Sequence, residues 1–384
     1  MAETKVNQLR TVRIGFMPLT DCASLVMAAE CGFDRQYGIR IVLSRETSWA
    51  NVRDKLGSGA LDAAHVLYGL MYGVQLGIGC QQQAMAVLMN LSRNGQAVTL
   101  SRALAEQGAL DGPSLAQRMR DLSRGYTFAH TFPTGNHAML LYYWLAAHGI
   151  DPLRQARALT VPPAQMVGSL GAGMIDGFCA GEPWGQRAID EGVGVTAVTS
   201  QQIWPDHPGK VLGTTAAFAA SDPDTCRAMI AAVLDASRWI EASRANKEQT
   251  ATVLAGSAYL NTGRAAIAAR LAGQYDNGAG GQWTDEKALS FHGDGEVNFP
   301  YLSDGMWFMT QQRRWGLLRD EPDYLGQAQA VNRIDLYKGA AEMTGTLVPS
   351  STMRSSTLID GACWDGSDPR GYAESFRIHH CPPR

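Results

Sequence analysis

The sequence predicts an α/β protein of two lobes facing a cleft, and three observations carry that prediction. The chain has 384 residues, more than one compact core usually holds. Forty-one of them (41) are glycine, well above the average share of about 7%, as a chain of many short elements and tight turns requires. Finally, a strand-then-helix rhythm appears in two separate stretches, the grammar of parallel sheets covered by helices.

The first stretch opens with a strand at 11–17 (TVRIGFM), rich in β-formers, followed by small and apolar residues at helical spacing over 24–30. Gly38 punctuates before a second strand, IRIVLS. Ser48 is a helix-start signal for SWANVRDKL, with Trp49, Val52 and Leu56 on one face. LDAAHVL reads as a third, buried strand, and a helical run follows over 71–76. The second stretch repeats the pattern: strand 126–132, helix 134–148, strand 158–161, and helix 165–170 closed by Gly171 and Gly173. Strand IDGFCAG, helix EPWGQRAIDEG and strand VTAVTS complete it. From Ser221 onward the chain turns helical. Asp222-Pro223 is a cap and first-turn pair, and Met229, Ile230, Val233, Leu234 and Ile240 form an apolar stripe. Further helices are expected over 300–316 and 328–343, and the Gly-, Ser- and Asp-rich stretch beyond reads as an extended tail.

Hydrophobic residues make up 45% of the chain and charged residues 18%, which excludes intrinsic disorder. Lys and Arg number 33 against 36 Asp and Glu, with no basic stripe, so direct nucleic-acid binding is not expected. Seven cysteines, an odd number with no repeated spacing and no CxxC, are the usage of a reduced compartment. Glu3, Lys5 and Arg10 interrupt the start before any apolar run, unlike a signal peptide. The longest apolar run, 138–147, is flanked by His137 and His148 and is about half the ~20 residues that span a bilayer. These features predict a soluble, cytoplasmic protein with no membrane contact.

Several motifs fail on context. GSLGAG at 168–173 follows a helix and precedes a strand, the reverse of a dinucleotide loop, and reads as helix-stop glycines. His379-His380-Cys381 stands alone near the end of the sequence, and FHGDGE lacks the oxygen ligands of a calcium loop. No metal or cofactor is implied. Cys22, just after the first strand, is the one candidate nucleophile, although free cysteine is commonly a small buried hydrophobe.

One stretch carries chemistry. In FPTGNHAMLLYYWLAAHGIDP a strand runs into Pro133, and Thr134-Gly135-Asn136-His137 opens a strongly apolar helix. Unpaired N–H groups and the positive end of the helix dipole make such an opening suited to an anion. Gly135 permits close approach, and His137 adds a donor. The alternative on spacing alone is an ordinary capped helix whose histidine satisfies a neighbour.

Along nearly the whole chain, LTDCASLVMAAECGFDRQYGI, LSRETSWANVRDKL, NGQAVTLS, TFPTGNH, VPPAQMV, DGFCAGEPW, IWPDHPGKVLG and MWFMTQQRRWG follow one another in order. The sequence resembles the nitrate-binding protein family of periplasmic NrtA-like proteins, whose members feed nitrate or bicarbonate to ABC transporters. Lacking a signal-like start and having unpaired cysteines, it is most similar within that family to the cytoplasmic nitrate/nitrite sensors of the NasS type. The resemblance implies a type II periplasmic-binding-protein-like fold, with lobe 1 formed by 1–97 and 213–384 and lobe 2 by 98–212. The crossings are expected near 97–99 and 211–215. It implies a nitrate site made by the Trp49 indole, the Gln96 amide, the Gly135 backbone, the His137 ring and the Lys210 ammonium, with no cofactor and no catalysis. Thr134 replaces the glycine more usual in the family. Asp206 and Glu182 are expected as hinge or surface carboxylates, and Trp144 and Trp184 as core.

Three functions follow from the resemblance. The first is a sensor that closes on nitrate or nitrite and thereby releases a partner, an ANTAR-domain antiterminator of the NasT type. The second is the substrate-binding protein of a nitrate or bicarbonate ABC transporter. The third is an enzyme that uses Cys22, as in desulfinase relatives of the fold.

Overall fold

The computed structural model describes residues 9–121, 124–285 and 287–381. The charged opening stretch up to Gln8 lies outside them.

Among the described residues the strands up to Thr215 are β1 (Arg10–Phe16), β2 (Ile39–Arg45), β3 (Ala63–Leu67), β4 (Met85–Asn90), β5 (Arg93–Asn94, paired with Leu289–Ser290), β6 (Gln96–Ser101), β7 (Thr127–His130), β8 (Arg157–Thr160), β9 (Gly177–Gly181), β10 (Gly194–Thr199) and β11 (Lys210–Thr215). One sheet runs β2-β1-β3-β11-β4 and the other β8-β7-β9-β6-β10. The two are topological copies. In each, three parallel strands are followed by one antiparallel strand and then an outer strand pairing with it. The antiparallel strands are β6 and β11, the two that enter their lobe straight from the other. This exchange joins two α/β lobes by two hinge segments.

The hinge segments run antiparallel beside each other. Gly209 N–H donates to Ser92 O at 2.8 Å, Asn94 N–H to His207 O at 3.0 Å, and Leu91 N–H to Lys210 O at 2.8 Å. Asn94 and Gly95 both adopt positive φ, 62° and 79°, which turns the chain out of the first sheet. The crossings thus fall at 91–95 and 204–209, several residues before the expected positions. All of β6 pairs within the second sheet and all of β11 within the first, so the expected divisions after 97 and 212 lie inside strands.

Helices α1 (Ala23–Glu30) and α2 (Phe33–Gln36) follow β1, and α3 (Trp49–Gly57) and α4 (Tyr68–Gln75) follow β2 and β3. Ser48 caps α3 by accepting from Asn51 N–H at 3.1 Å, and Trp49, Val52 and Leu56 are its buried face, as the sequence predicts. In the second lobe, α5 (Arg102–Glu106), α6 (Gly112–Asp121), α7 (Asn136–Ala147), α8 (Pro163–Gly171), α9 (Trp184–Asp190) and α10 (Ser200–Ile203) surround the sheet. Helix α7 is buried on all sides from Asn136 to Leu145, which explains its unbroken apolar run.

Beyond β11 come α11 (Ala216–Ser221), α12 (Pro223–Glu241), α13 (Arg244–Ala255), α14 (Arg264–Leu271), α15 (Leu302–Arg314), α16 (Tyr324–Val331), α17 (Ile334–Thr344) and α18 (Pro369–Glu374). Met229, Ile230, Val233, Leu234 and Ile240 of α12 enter one apolar cluster with Ile14, Phe16 and Val26 of the first lobe. A second cluster is continuous across both lobes, from Val66 and Leu67 through Trp307 and Phe308 of α15 to Leu140 and Phe178. Trp144 and Trp184 lie within it, as expected.

The single helix expected over 328–343 is two. Asn332 takes extended backbone between α16 and α17, and its side chain is buried. Its amide donates to Tyr68 Oη at 2.6 Å, Tyr301 O at 3.1 Å and Pro300 O at 3.2 Å, and accepts from Tyr72 Oη at 3.0 Å. Asn332→Ala is expected to destabilise the fold by about 2–3 kcal/mol, because four buried polar groups lose a partner. Urea unfolding measures it.

The tail also differs from expectation by containing α18, which Pro369 starts and Asp368 caps. It ties to both lobes: Trp364 Nε1–H donates to Ser303 O at 2.9 Å, and Tyr143 Oη–H to Asp360 at 2.7 Å. His380 of the His-His-Cys motif pairs with Asp151 at 3.0 Å. Among the described residues no helix is long and apolar enough to cross a membrane.

Candidate functional site

In open α/β sheets the carboxyl ends of parallel strands form the binding crevice, and here two such edges face each other. From the first lobe come the turn after β1 carrying Asp21, the end of β3 near His65, and the start of α3 carrying Trp49. From the second come the turn after β7 with Thr131, the first turn of α7 with His137, and Gly181 at the end of β9. Gln96 and Lys210 are the first residues of the two exchanged strands. They therefore stand where each hinge enters its sheet.

A buried ion pair anchors the site. Lys210 Nζ–H donates to Asp21 Oδ2 at 2.7 Å, and His65 Nε2 meets Asp21 Oδ1 at 2.8 Å, with all three side chains no more than 1% exposed. Burial pushes the Asp21 carboxyl up, but the Lys210 charge and the His65 hydrogen bond outweigh it and hold the group well below the usual carboxylate range. Burial lowers the His65 pKa, and Met17 N–H donates to its Nδ1 at 3.4 Å, which leaves Nε2–H as the donor to Asp21.

Around this pair lie polar atoms that are buried and have no protein partner: Trp49 Nε1, both ends of the Gln96 amide, and His137 Nε2. Each belongs to the same cluster. The Trp49 ring lies 5.7 Å from that of His65. Gln96 pairs across the ladder with Gly181, where a Cβ would stand 3.5 Å from Asp21 Oδ2. The His137 ring is fully buried, with its pKa driven well below the usual value by burial first and the Lys210 charge second. Its Nδ1 is held by Thr131 Oγ1 at 2.5 Å, which aims the ring. Unsatisfied buried donors are costly, so their convergence from both lobes on a lysine describes a cage for a small anion.

Four of the five expected site residues, Trp49, Gln96, His137 and Lys210, are thus brought together. Gly135 is not used as the resemblance implies. Its N–H already donates to Phe132 O at 3.1 Å, closing the turn before α7. A Cβ there would meet Leu67 Cδ1 at 2.5 Å, so this glycine allows lobe 2 to seat against lobe 1. Gly181 is the glycine that faces the cage. Asp21, His65 and Thr131 also escaped the sequence reading.

Asn136, between Gly135 and His137, clamps the lobes together. Its Oδ1 accepts from Gly69 N–H at 3.2 Å and its Nδ2 donates to Gly209 O at 2.6 Å and Pro208 O at 3.1 Å. Gln312 of α15 bridges the same place, donating to Gly69 O at 2.8 Å and Thr134 O at 3.2 Å. Glu182 is neither a hinge nor a surface carboxylate. It is buried, accepts from Arg270 Nε–H at 3.1 Å, and its carbonyl accepts from Thr20 N–H at 2.7 Å.

Cys22 makes a poor nucleophile in this form. It is wholly buried in the apolar cluster under β1, and burial followed by the Asp21 charge raises its thiol far above the usual range.

Fold and site together place the chain in the periplasmic-binding-protein fold class, two α/β lobes around a ligand cleft, here with a polar cage between them. The model of the NMT1-like family matches residues 6–255. Nitrate/nitrite binding protein NrtA of Synechocystis sp. (strain ATCC 27184 / PCC 6803 / Kazusa) is 33% identical over 384 residues, covering 97% of this chain and 86% of the relative. NrtA of Synechococcus elongatus is 34% identical over 388 residues, covering 97% and 87%. The crystal structure of the periplasmic nitrate-binding protein NrtA from Synechocystis PCC 6803 matches with a TM-score of 0.91 at 32% identity, over 97% of this chain and 99% of that one. The chain belongs to the NMT1-like family and, within it, to the NrtA nitrate-binding proteins. These relatives are binding proteins, not enzymes.

Proposed function

We propose that this protein binds nitrate or nitrite between its lobes and hands the anion to a membrane importer as a substrate-binding component. The observation that carries the reading is the set of unpartnered buried groups on Trp49, Gln96 and His137 converging beside Lys210. Nitrate is planar, monovalent and weakly basic. It is best held by several donors and one nearby cation, without a metal. Identity of 33% and 34% to proteins named nitrate/nitrite binding supports the choice of anion. Importer delivery is supported by relatives named nitrate import and bicarbonate transport ATP-binding proteins, of whose length this chain spans about half.

Trp49→Phe tests the site. It keeps the ring against His65 and removes only the indole N–H. Affinity for nitrate is expected to fall roughly 10- to 100-fold, the worth of one hydrogen bond to a charged acceptor. Calorimetric titration measures it, and unchanged affinity would remove Trp49 from the site.

A second reading is a cytoplasmic sensor that releases an ANTAR-domain antiterminator when the anion closes the lobes. It is favoured by one observation, seven cysteines all with free thiols. Cell fractionation separates the two. Recovery with periplasmic proteins supports the importer, and recovery in the cytoplasm, with nitrate-releasable capture of such an antiterminator, supports the sensor.

A further inference from the structure

The cage carries almost no net charge of its own. Lys210 is the cation, but Asp21 already neutralises it at 2.7 Å. His65 cannot easily add a charge, because its Nδ1 accepts from Met17 N–H at 3.4 Å while its Nε2 meets Asp21. A second proton on His65 would break the first of these bonds. An anion entering this cage would bring an uncompensated charge into a dry interior, which is strongly unfavourable.

His137 is the group able to correct the balance. Its Nε2 has no partner and is buried, and Thr131 Oγ1 at 2.5 Å from Nδ1 can act as acceptor as well as donor. The imidazolium form would donate to Thr131 from Nδ1 and to the anion from Nε2. The charged and titratable groups around the ring are Lys210 at the start of β11, Asp21 in the turn before α1, His130 at the end of β7 and His207 in the hinge. His130 is neutral by burial and faces Tyr142 Oη at 3.2 Å, and His207 meets Pro208 O through Nδ1 at 2.8 Å. Neither holds a charge that would substitute.

We propose that the anion is bound together with a proton, which resides on His137 in the complex. The proposal rests on the anion-binding reading above and deepens it: the species held is the anion plus one proton. By linkage, the anion raises the affinity of His137 for its proton by the factor that the proton raises affinity for the anion. Burial and Lys210 keep the ring neutral near pH 7 before the anion arrives. The complex is therefore tightest at low pH; affinity falls as pH rises from the pKa of the free His137 ring to the higher pKa of the bound form, and levels off above it.

The test is calorimetric titration of the full chain with sodium nitrate, which stays fully ionised. It is done at one pH in two buffers of different ionisation enthalpy, then between about pH 5.5 and 8.5. Expected are a buffer-dependent enthalpy showing proton uptake, and a Kd that rises by up to about tenfold per pH unit until the pKa of the bound form is passed. His137→Gln keeps a donor but cannot take the proton, so it is expected to bind more weakly with no proton uptake and a flat pH profile. Nitrate binding with no proton uptake and a flat Kd in the unmodified protein would overturn the coupling and leave the anion site standing. That result does not depend on the variant folding. Persisting uptake in His137→Gln would overturn the assignment to His137. Absence of binding by both nitrate and nitrite would overturn the coupling and the proposed function together.

Discussion

Lys210→Ala is expected to abolish nitrate binding and to lower the free energy of unfolding by about 3–5 kcal/mol. Both effects have one cause. Lys210 is the cation of the cage and also the compensating charge for Asp21, which is 1% exposed. Without it, the carboxylate keeps only the His65 hydrogen bond in a dry interior. Asp21 now has its carboxyl depressed, so its contribution to stability is present above the ordinary carboxylate pKa of about 3.9 and is lost only as pH falls through the lower folded value. In Lys210→Ala burial would dominate and push the carboxyl up, so stability would decline with rising pH instead. The double variant Lys210→Ala, Asp21→Asn removes both charges. It is expected to regain much of the stability while still failing to bind, which separates folding from recognition. Urea unfolding across pH and calorimetric titration measure these outcomes, and nitrate affinity within tenfold of the unmodified protein would contradict them.

Gly69→Ala is expected to weaken nitrate binding roughly 5- to 150-fold, with both lobes still folded, if its overpacking cost of about 1–3 kcal/mol falls on the closed form. Gly69 lies in α4 of the first lobe, and a Cβ there would stand 2.3 Å from the backbone carbonyl oxygen of Thr134 in the second. A backbone oxygen in the turn before α7 cannot swing aside as a side chain can. One helical turn later, Gly73 meets Thr134 again, its Cβ position 2.5 Å from Oγ1. Helix propensity adds about 1 kcal/mol for alanine over glycine, but α4 is helical in the open and closed forms alike, so that gain leaves the balance between them unchanged. Scattering in solution with and without nitrate would show a compaction that the unmodified protein undergoes and the variant resists. Equal compaction and equal affinity would show that this contact does not govern closure.

Much of the architecture was legible because short-range signals coincide with long-range ones. Ser48 caps α3, Asp222-Pro223 begins α12, and each apolar stripe read from spacing is a buried face. The position of the crossings is also written locally, in the positive-φ pair Asn94-Gly95 and in Pro208-Gly209, whereas the resemblance places the exchange a few residues further on, inside β6 and β11. Helix α16–α17 was read as continuous since nothing local reveals that Asn332 is needed by two tyrosines and two carbonyls far away in sequence.

The site divides in the same way. Trp49, Gln96, His137 and Lys210 sit in motifs specific enough to carry a resemblance. Asp21 also lies in such a motif, but nothing local marks it as a site residue, because its partner lies 189 residues away and only the fold brings them together. His65 left a usable signal, a polar residue inside the apolar strand AAHVL, which must have a partner if buried. A glycine before a helix suits either a ligand or a neighbouring chain, and at Gly135 it is Leu67 that fills the space. Asn136 makes the interlobe clamp, with partners at 69, 208 and 209 that no local pattern in the sequence reveals.

Titration of the purified, desalted protein with nitrate, nitrite, bicarbonate and sulfate tests the central claim most directly. Saturable one-to-one binding of nitrate or nitrite, lost in Lys210→Ala, is the predicted result. Binding of bicarbonate alone, or of neither nitrate nor nitrite, would contradict it.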